Sequence, residues 1–176
     1  MLFKRGSIFF KPSPVILLIF TVILSAVPGT ASADSSGVKL SAETVSEFDE
    51  FQRKKEIKYL IYAFNSDNTK IITESRPVKL TSEFDASNAH YDEFVRLLPE
   101  KEVRYGIIDI SHNISEGQRS QTIFIAWIPD EAPIKQKMLA ASSKDAFKAL
   151  PGIRTRISAK SRADLDKDTI IATLFP

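Results

Sequence analysis

The sequence predicts an α/β (α+β) sandwich, a mixed β-sheet with helices on both faces, and three observations lead to that expectation. Short runs rich in β-branched and aromatic residues, such as Ile57 to Phe64, read as strands. Between them lie segments whose apolar residues recur at helical spacing. Gln121 to Ile128 is almost continuously apolar, as expected of a central strand that is covered on both faces. Such a strand needs helices on each side of the sheet.

The first 33 residues are predicted to lie outside this fold. They contain a basic head and no acid, then an apolar run from Val15 to Val27, and they end in the small residues Ala31-Ser32-Ala33. This is the layout of a secretory signal peptide with cleavage after Ala33. The run is shorter than the roughly 20 residues of a membrane-spanning helix. We therefore predict two parts, a leader over 1–33 and one folded domain over 34–176.

Charge and composition exclude several classes of protein. The chain has 24 basic and 22 acidic residues, and three of the basic ones are in the leader, so residues 34–176 carry 21 basic against 22 acidic residues. A near-neutral domain lacks the surplus of cations that sequence-independent nucleic-acid binding requires, so we expect no nucleic-acid partner. Since the chain has no cysteine, it has no disulfide, thiolate nucleophile or thiolate metal site.

The first half of the domain is predicted to form a helix, a β-hairpin and a second helix. Ser41 is placed to cap a helix that ends before Arg53-Lys54-Lys55. A strand over Ile57 to Phe64 and its partner over Lys70 to Glu74 flank a turn, and a polar connection over Pro77 to Ala89 follows. The second helix, from Tyr91 to Leu98, ends at Pro99. The expected buried residues of the two helices are Val45, Phe48 and Phe51, and Phe94, Leu97 and Leu98.

The second half reads as two strands, a long helix, a strand and a short helix. The strands, Val103 to Ile110 and Gln121 to Ile128, are expected to be joined by a polar loop around Gly117. A helix over 131–149 should follow, with Asp130 near its N-cap and Pro133 in its first turn, and should end at Pro151-Gly152. Ile153 to Ala159 alternates as a strand does, and Leu165 to Leu174 is expected to form the terminal helix.

The outer surface of the long helix is unusual. At helical spacing it combines cations, a flexible thioether and a hydroxyl, where a purely structural helix would show an unbroken polar face. The structural interpretation makes the methionine core filler and the lysines merely solvated. The functional interpretation makes the methionine an adaptable anchor with a charged rim, as in a binding hot spot. The residues concerned are Lys135, Lys137, Met138, Ser142 and Lys144.

The order of residues in this helix resembles that of the corresponding helix in a known protein family. A strand ending in Trp127 is followed by Pro-Asp, Ala-Pro, a basic residue, Lys-Met and Ala-Ser-Ser-Lys-Asp, and this order resembles the actin-binding helix of the actin-depolymerising-factor/cofilin family. The resemblance extends over about residues 35 to 171. It includes Ser36-Gly37-Val38, Tyr91 to Glu100, Arg104 to Asp109, and Glu116 to Ser120.

The resemblance implies a single ADF-homology domain with five to six strands between two pairs of helices. It also implies a monomeric, non-enzymatic protein without cofactors that binds actin monomers and filaments and promotes filament depolymerisation. Phosphorylation at Ser36 would switch such a protein off, since a phosphate adds negative charge against an acidic partner. Arg119 would contact the second actin subunit in filaments, on a surface that we call the filament side. The implied actin-monomer residues are Ser36, Gly37, Val38, Asp130, Ile134, Lys135, Lys137, Met138, Ser142 and Lys144.

Some positions depart from the family pattern. Gln118 and Gln121 are neutral where basic residues are usual, and Ala172-Thr173 replaces a charged pair in the terminal helix. These departures remove charge from the filament side, so we expect weak severing and intact monomer binding.

The leader leaves one alternative open. Actin is cytosolic, so the resemblance predicts the cytoplasmic actin cytoskeleton, whereas the leader predicts a secreted or membrane-associated protein. The alternative function is a secretory-pathway or extracellular cofilin-like domain that no longer uses actin and binds anionic lipid. A basic run would suit phosphoinositide headgroups, although a solvated strand edge that discourages strand pairing is the preferred explanation. The run comprises Arg154, Arg156, Lys160 and Arg162.

No enzyme chemistry is indicated by the remaining polar residues. His90 and His112 fall in loop-like contexts without a paired nucleophile. Asp109 and Asp130 are isolated carboxylates, expected at a strand end and a helix cap.

Overall fold

The structure is a computed structural model that describes residues 37–54, 56–76 and 87–176. The predicted leader, its cleavage site and Ser36 lie outside the described residues. Within them the strands are β1 (Lys39–Leu40), β2 (Tyr59–Phe64), β3 (Lys70–Ser75), β4 (Arg104–Ile114), β5 (Gly117–Trp127) and β6 (Thr155–Ala159). The α-helices are α1 (Ala42–Arg53), α2 (Ala89–Leu97), α3 (Ile134–Ser143) and α4 (Lys167–Leu174), and two 3-10 helices cover Lys144–Ala149 and Arg162–Leu165.

The strands form one mixed sheet in the order β1-β3-β2-β4-β5-β6. The outer pairs, β1 with β3 and β5 with β6, are parallel, and the inner pairs are antiparallel. Helices α1 and α3 cover one face of this sheet, and α2 and α4 cover the other. The predicted fold class is therefore confirmed, including the pair of helices on each face.

An aromatic cluster fills the α1/α3 face. The ring of Phe147, in the first 3-10 helix, lies 4.8 Å from the ring centroids of both Tyr105 and Phe124, and 5.4 Å from that of Tyr62. All four side chains are buried. Large aromatic side chains dominate the apolar area that a core removes from water, so this cluster fixes the segment after α3 against the sheet.

The α2/α4 face is held by a close approach of helix to strand. Tyr59 of β2 packs edge-on against Phe94 of α2, with ring centroids 5.7 Å apart. A Cβ added at Gly106 of β4 would lie 2.3 Å from the Phe94 ring, so only glycine fits under that ring. Tyr91 donates its hydroxyl proton to the Leu165 carbonyl (2.9 Å), which ties α2 to the second 3-10 helix.

Two predicted core residues are exposed. Val45 is 40% exposed and Leu97 is 44% exposed. The buried stripe of α1 consists instead of Thr44, Phe48 and Phe51. Those residues are spaced i, i+4, i+7, which keeps them on one face at 3.6 residues per turn, whereas repeated steps of three drift around the helix.

The predicted polar loop around Gly117 is instead a β-hairpin. Strands β4 and β5 stay paired to the turn, with His112 opposite Arg119 and Ile114 opposite Gly117, so only two residues form the connection. The polar composition reflects exposure on a projecting hairpin rather than the absence of a strand. His112 accordingly lies in β4, with its ring 5.4 Å from that of Phe175, and not in a loop. His90 is likewise not in a loop, because it is buried within α2.

The other boundaries shift by a few residues. The strand predicted from Ile153 begins at Thr155, and the terminal helix begins at Lys167, where the Asp166 carboxylate accepts from the Thr169 N–H (2.9 Å). The helix predicted over 131–149 is divided between α3 and the 3-10 helix Lys144–Ala149. In the part of the chain that the structure describes, none of the helices has the length and apolarity needed to cross a bilayer.

Candidate functional site

Helix α3 begins later than predicted because of a proline. Pro133 occupies the N-cap position in an extended conformation (ψ 140), and its carbonyl accepts the first helical bond, from the Lys137 N–H at 3.1 Å. A proline also disfavours helical geometry at the residue before it, which here is Ala132. Asp130 is therefore not the helix cap. Its backbone carbonyl instead accepts a hydrogen bond from the Lys137 ammonium at 3.0 Å.

The outer face of α3 exposes two large apolar side chains. Ile134 is 75% exposed and Met138 is 70% exposed, and one turn of helix separates them. Residues four apart on a helix are neighbours, so the pair forms one continuous apolar spot. Met138 is thus a surface residue and not core filler. An exposed apolar pair of this kind on a small domain is typical of a binding surface.

Three lysines lie in the same helix or directly after it. Lys135 is exposed beside it, and Lys137 is held over the start of the helix by its bond to Asp130. Lys144 is exposed at the point where α3 passes into the 3-10 helix. Together with Ile134 and Met138, these three lysines make up what we call the α3 surface.

The N-terminal arm, of which Gly37 and Val38 are described, contacts the other end of α3. The Val38 N–H donates to the Ser143 hydroxyl at 2.9 Å. A Cβ added at Gly37 would lie 2.1 Å from the Ser142 carbonyl oxygen, so a glycine is required at this approach. The structure therefore places Gly37 and Val38 against Ser142 and Ser143, in the helix that carries the α3 surface.

Two positioning residues were missed from the sequence. Ser143 is fully buried and accepts the arm's hydrogen bond. Gln136 accepts the Val103 N–H through its side-chain oxygen at 3.0 Å, which attaches the first turn of α3 to the start of β4. Tyr105 adds a third attachment by donating to the Ala140 carbonyl at 3.1 Å, and its burial raises the pKa of its hydroxyl. Only the adjacent serines, Ser142-Ser143, hinted at the first of these.

The predicted filament-side residue lies on the β4–β5 hairpin, away from α3. Arg119 is exposed in β5 and donates to the Glu116 carboxylate at 2.6 Å. Nearby, the Gln121 amide donates to the Leu174 carbonyl at 2.7 Å, which links the hairpin to the end of α4. The hairpin therefore presents an internally neutralised ion pair rather than an unpaired cation.

Two arginines of the basic run, Arg156 and Arg162, make contacts within the folded domain. The Arg156 guanidinium lies 5.4 Å from the Phe124 ring centroid and bonds the Phe147 carbonyl at 3.2 Å. The Arg162 guanidinium lies 5.4 Å from the Trp127 ring centroid and donates to the carbonyls that end α2. Arg154 and Lys160 are exposed.

The isolated carboxylate Asp109 is not at a strand end. It lies inside β4, is 7% exposed, and faces the Lys58 ammonium at 3.8 Å. In the described ranges no group of three or more His, Cys, Asp or Glu residues is arranged to hold a metal ion.

Comparisons with known proteins agree with this geometry. The family model for cofilin/tropomyosin-type actin-binding proteins matches residues 37–174. Cofilin from Mycosarcoma maydis is 40% identical over 139 residues, covering 78% of this chain and 94% of the relative. Actophorin from Acanthamoeba castellanii is 34% identical over 136 residues, covering 77% and 93%.

Solved structures give the same result. A crystal structure of cofilin from Streptomyces griseoflavus superposes with a TM-score of 0.67 at 31% identity, covering 79% of this chain and 98% of that one. The segment matched by the family model, residues 37–174, contains the arm residues Gly37 and Val38, all of α3 and the β4–β5 hairpin. The chain therefore belongs to the family of cofilin/tropomyosin-type actin-binding proteins.

Proposed function

We propose that this chain binds actin monomers through the α3 surface and the arm, and that it promotes the depolymerisation of actin filaments. The observation that carries the proposal is the exposed pair Ile134 and Met138 on a helix that also carries Lys135 and Lys137 and is followed by Lys144. A methionine adapts to an apolar groove at small entropic cost, and the cations complement an acidic partner such as actin. Membership of an actin-binding family supports actin as that partner.

The proposed mechanism is a shift of equilibrium without covalent chemistry. A protein that binds one state of the filament or of its subunit more tightly than the other moves the population toward that state. Only the difference in affinity between the two states has this effect. We accordingly propose a monomeric, non-enzymatic protein of the cytoplasmic actin cytoskeleton that needs no cofactor.

The filament side is proposed to be weaker than the monomer side. Arg119 is already paired with Glu116, and the exposed residues Ala172 and Thr173 of α4 carry no charge. An ion pair formed within one hairpin leaves less charge for a second actin subunit. We therefore expect subunit loss from filament ends to exceed severing.

Residue-specific contacts can be tested by affinity for purified actin monomers. Lys135→Ala combined with Lys137→Ala, and separately Met138→Ala, should each weaken binding about tenfold or more. The melting temperature should change little, because Lys135 and Met138 are exposed and the half-buried Lys137 makes one hydrogen bond at the surface. Matched controls are Lys70→Ala combined with Lys160→Ala, and Val45→Ala, which remove exposed cations and an exposed apolar side chain elsewhere. Equal affinity in test and control variants would contradict the site.

Localisation and regulation need a separate measurement. Mass spectrometry of the mature N-terminus from the native cell distinguishes an intact leader from cleavage after Ala33, and also reports phosphate on Ser36. Detection of the mature protein in the medium, beginning at Asp34, would favour the extracellular alternative. Binding to phosphoinositide vesicles stays a prediction, for which Arg154 and Lys160 are the exposed cations of the basic run.

A further inference from the structure

A polar cleft opens on the α1/α3 face beside the middle of β5, and its lining residues are distinct from the α3 surface. It comprises two adjoining cavities of about 250 Å³ and about 400 Å³, which share Asp109 and Thr122 as lining residues. The end of α1 forms one wall through Phe51 and Gln52. None of the residues that line the cleft belongs to the α3 surface or the arm. Its larger cavity is of a size suited to a small ligand.

The register of the sheet places alternating charges along the floor of this cleft. The Asp109 N–H donates to the Lys58 carbonyl at 2.9 Å, and Asp109 is opposite Thr122. The parallel pairing of Ile123 with Thr155 places Arg154 beside Thr122. All four side chains point to the face that carries Phe124, because residues two apart in a strand share a face. Across the sheet, the row therefore consists of the Lys58 cation, the Asp109 anion, the Thr122 hydroxyl and the Arg154 cation.

Asp109 is the unusual member of the row. It is 7% exposed, and its carboxylate is 3.8 Å from the Lys58 ammonium, which is too long for a hydrogen bond. Within the described parts of the chain, no hydrogen-bond donor reaches this carboxylate. The carboxylate forms an ion pair with Lys58 but keeps unused hydrogen-bond acceptor capacity toward the cleft, so it offers a place for a second cationic donor, the ammonium group of a ligand.

Arg154 forms the opposite side of the cleft. It is exposed, and in the described ranges its guanidinium makes no ion pair with Asp109 or with another acid. Two strand spacings, about 10 Å, separate the backbones of Arg154 and Asp109. A guanidinium binds phosphate through two parallel hydrogen bonds. Ser120 and Thr122 line the same cavity and supply further hydroxyl donors.

We propose that this cleft binds a small phosphorylated amine, with its ammonium on Asp109, its phosphate on Arg154 and Thr122, and its carbon chain along Phe51 and Ile57. The two charges of such a ligand match the two ends of the row, whereas a simple anion would meet the Asp109 carboxylate. This activity is separate from actin binding and does not depend on it.

Protein-observed NMR of the full chain tests the proposal, with phosphoethanolamine as the probe. We expect saturable shifts of the backbone amides of Asp109, Thr122 and Arg154. Inorganic phosphate and ethylamine, each of which supplies half of the ligand, should bind at least tenfold more weakly. Equal binding of phosphate alone, shifts at other residues or no saturable shift would overturn the proposal.

Variants separate the cleft from general charge effects. Arg154→Gln should weaken phosphoethanolamine binding at least fivefold, whereas Lys160→Gln, which removes an exposed cation just beyond the same strand, should leave it unchanged. Asp109→Asn removes the acid that faces the buried Lys58 and can impair folding, so Thr122→Val is the second variant and should weaken binding by at least twofold. Equal affinity of Arg154→Gln and Lys160→Gln would contradict the assignment, as would unchanged affinity in Thr122→Val.

Discussion

The Val38 backbone N–H donates to the hydroxyl of Ser143 at 2.9 Å, although the two residues are 105 positions apart in the chain. This bond joins the N-terminal arm to the last turn of α3, and Ser143 is fully buried. The two parts of the proposed actin-monomer site are therefore attached to each other before any partner arrives. Such preorganisation lowers the entropic cost of binding.

Ser143→Ala should release the arm and weaken binding of actin monomers severalfold. The loss of one hydrogen bond should lower the free energy of unfolding by only about 1 kcal/mol. Thr173→Ala is the matched control, because the Thr173 hydroxyl donates to a carbonyl of its own helix, that of Thr169 in α4, away from α3. Titration of labelled actin monomers measures the effect. If Ser143→Ala binds as tightly as the wild type and Thr173→Ala, the arm bond does not organise the site.

Gly106→Ala should destabilise the fold strongly, because the added methyl group would lie 2.3 Å from the Phe94 ring inside the core. Overpacking of this kind costs about 1–3 kcal/mol and can cost more. Urea unfolding measures the change. Phe94→Leu in the Gly106→Ala background should recover part of the loss, whereas Phe94→Leu alone should destabilise the protein. Simple additivity of the two changes would show that the ring is not the obstacle.

Glu116→Gln should strengthen binding to filaments by severalfold. Glu116 and Arg119 form an exposed ion pair at 2.6 Å, and its removal frees the guanidinium. Because exposed ion pairs add little to stability, the melting temperature should hardly change. Cosedimentation and single-filament imaging measure binding and breakage, with the exposed Glu100→Gln as control. A lack of difference between the variants would show that the hairpin charge does not limit filament contact.

Alkaline pH should destabilise the protein from about pH 10 upward. Burial, followed by the nearby Glu93 carboxylate, raises the pKa of Tyr59 to about 12 from its ordinary value of 10.0. A raised pKa means that the folded state keeps its proton longer. The stabilisation is therefore complete below pH 10 and is lost as the pH rises through about 12. Burial also raises the pKa of Tyr62, Tyr91 and Tyr105 from the same ordinary value, so these residues add to the loss from about pH 10 upward.

Urea midpoints between pH 7 and pH 12 measure this loss, and Tyr59→Phe identifies its source. The variant has no hydroxyl to ionise at this position, so its stability should fall less steeply above pH 10. Parallel curves for the variant and the wild type would show that Tyr59 does not contribute.

The sequence predicted the sheet, its helices and the α3 surface because their signals are local. The apolar run of β5 and the turn residues around it required no knowledge of distant contacts. The burial of Ser143, the attachment of α3 by Gln136 and the pairing of Asp109 with Lys58 all depend on strand order. Strand order is set by long-range packing, so these contacts could not be predicted from spacing alone.

The wrong boundaries have equally physical causes. Periods of three and of 3.6 are hard to separate over two turns, which led to the misplacement of Val45. Polar residues on an exposed two-stranded hairpin resemble a loop, which hid the outer halves of β4 and β5. The continuous pattern over 131–149 did not reveal that the chain tightens into a 3-10 helix at Lys144.

Arg162 has a consequence for experiments that neutralise the basic run. Its guanidinium lies over the Trp127 ring and caps the carbonyls of Val95 and Leu98 at the end of α2. An alanine scan of this run would therefore mix two kinds of phenotype: altered surface charge at Arg154 and Lys160, and loosened packing at Arg162. Loss of lipid or actin binding in a variant that changes Arg162 would therefore reflect disturbed packing at the end of α2. Only variants that keep Arg162 report on the surface charge itself.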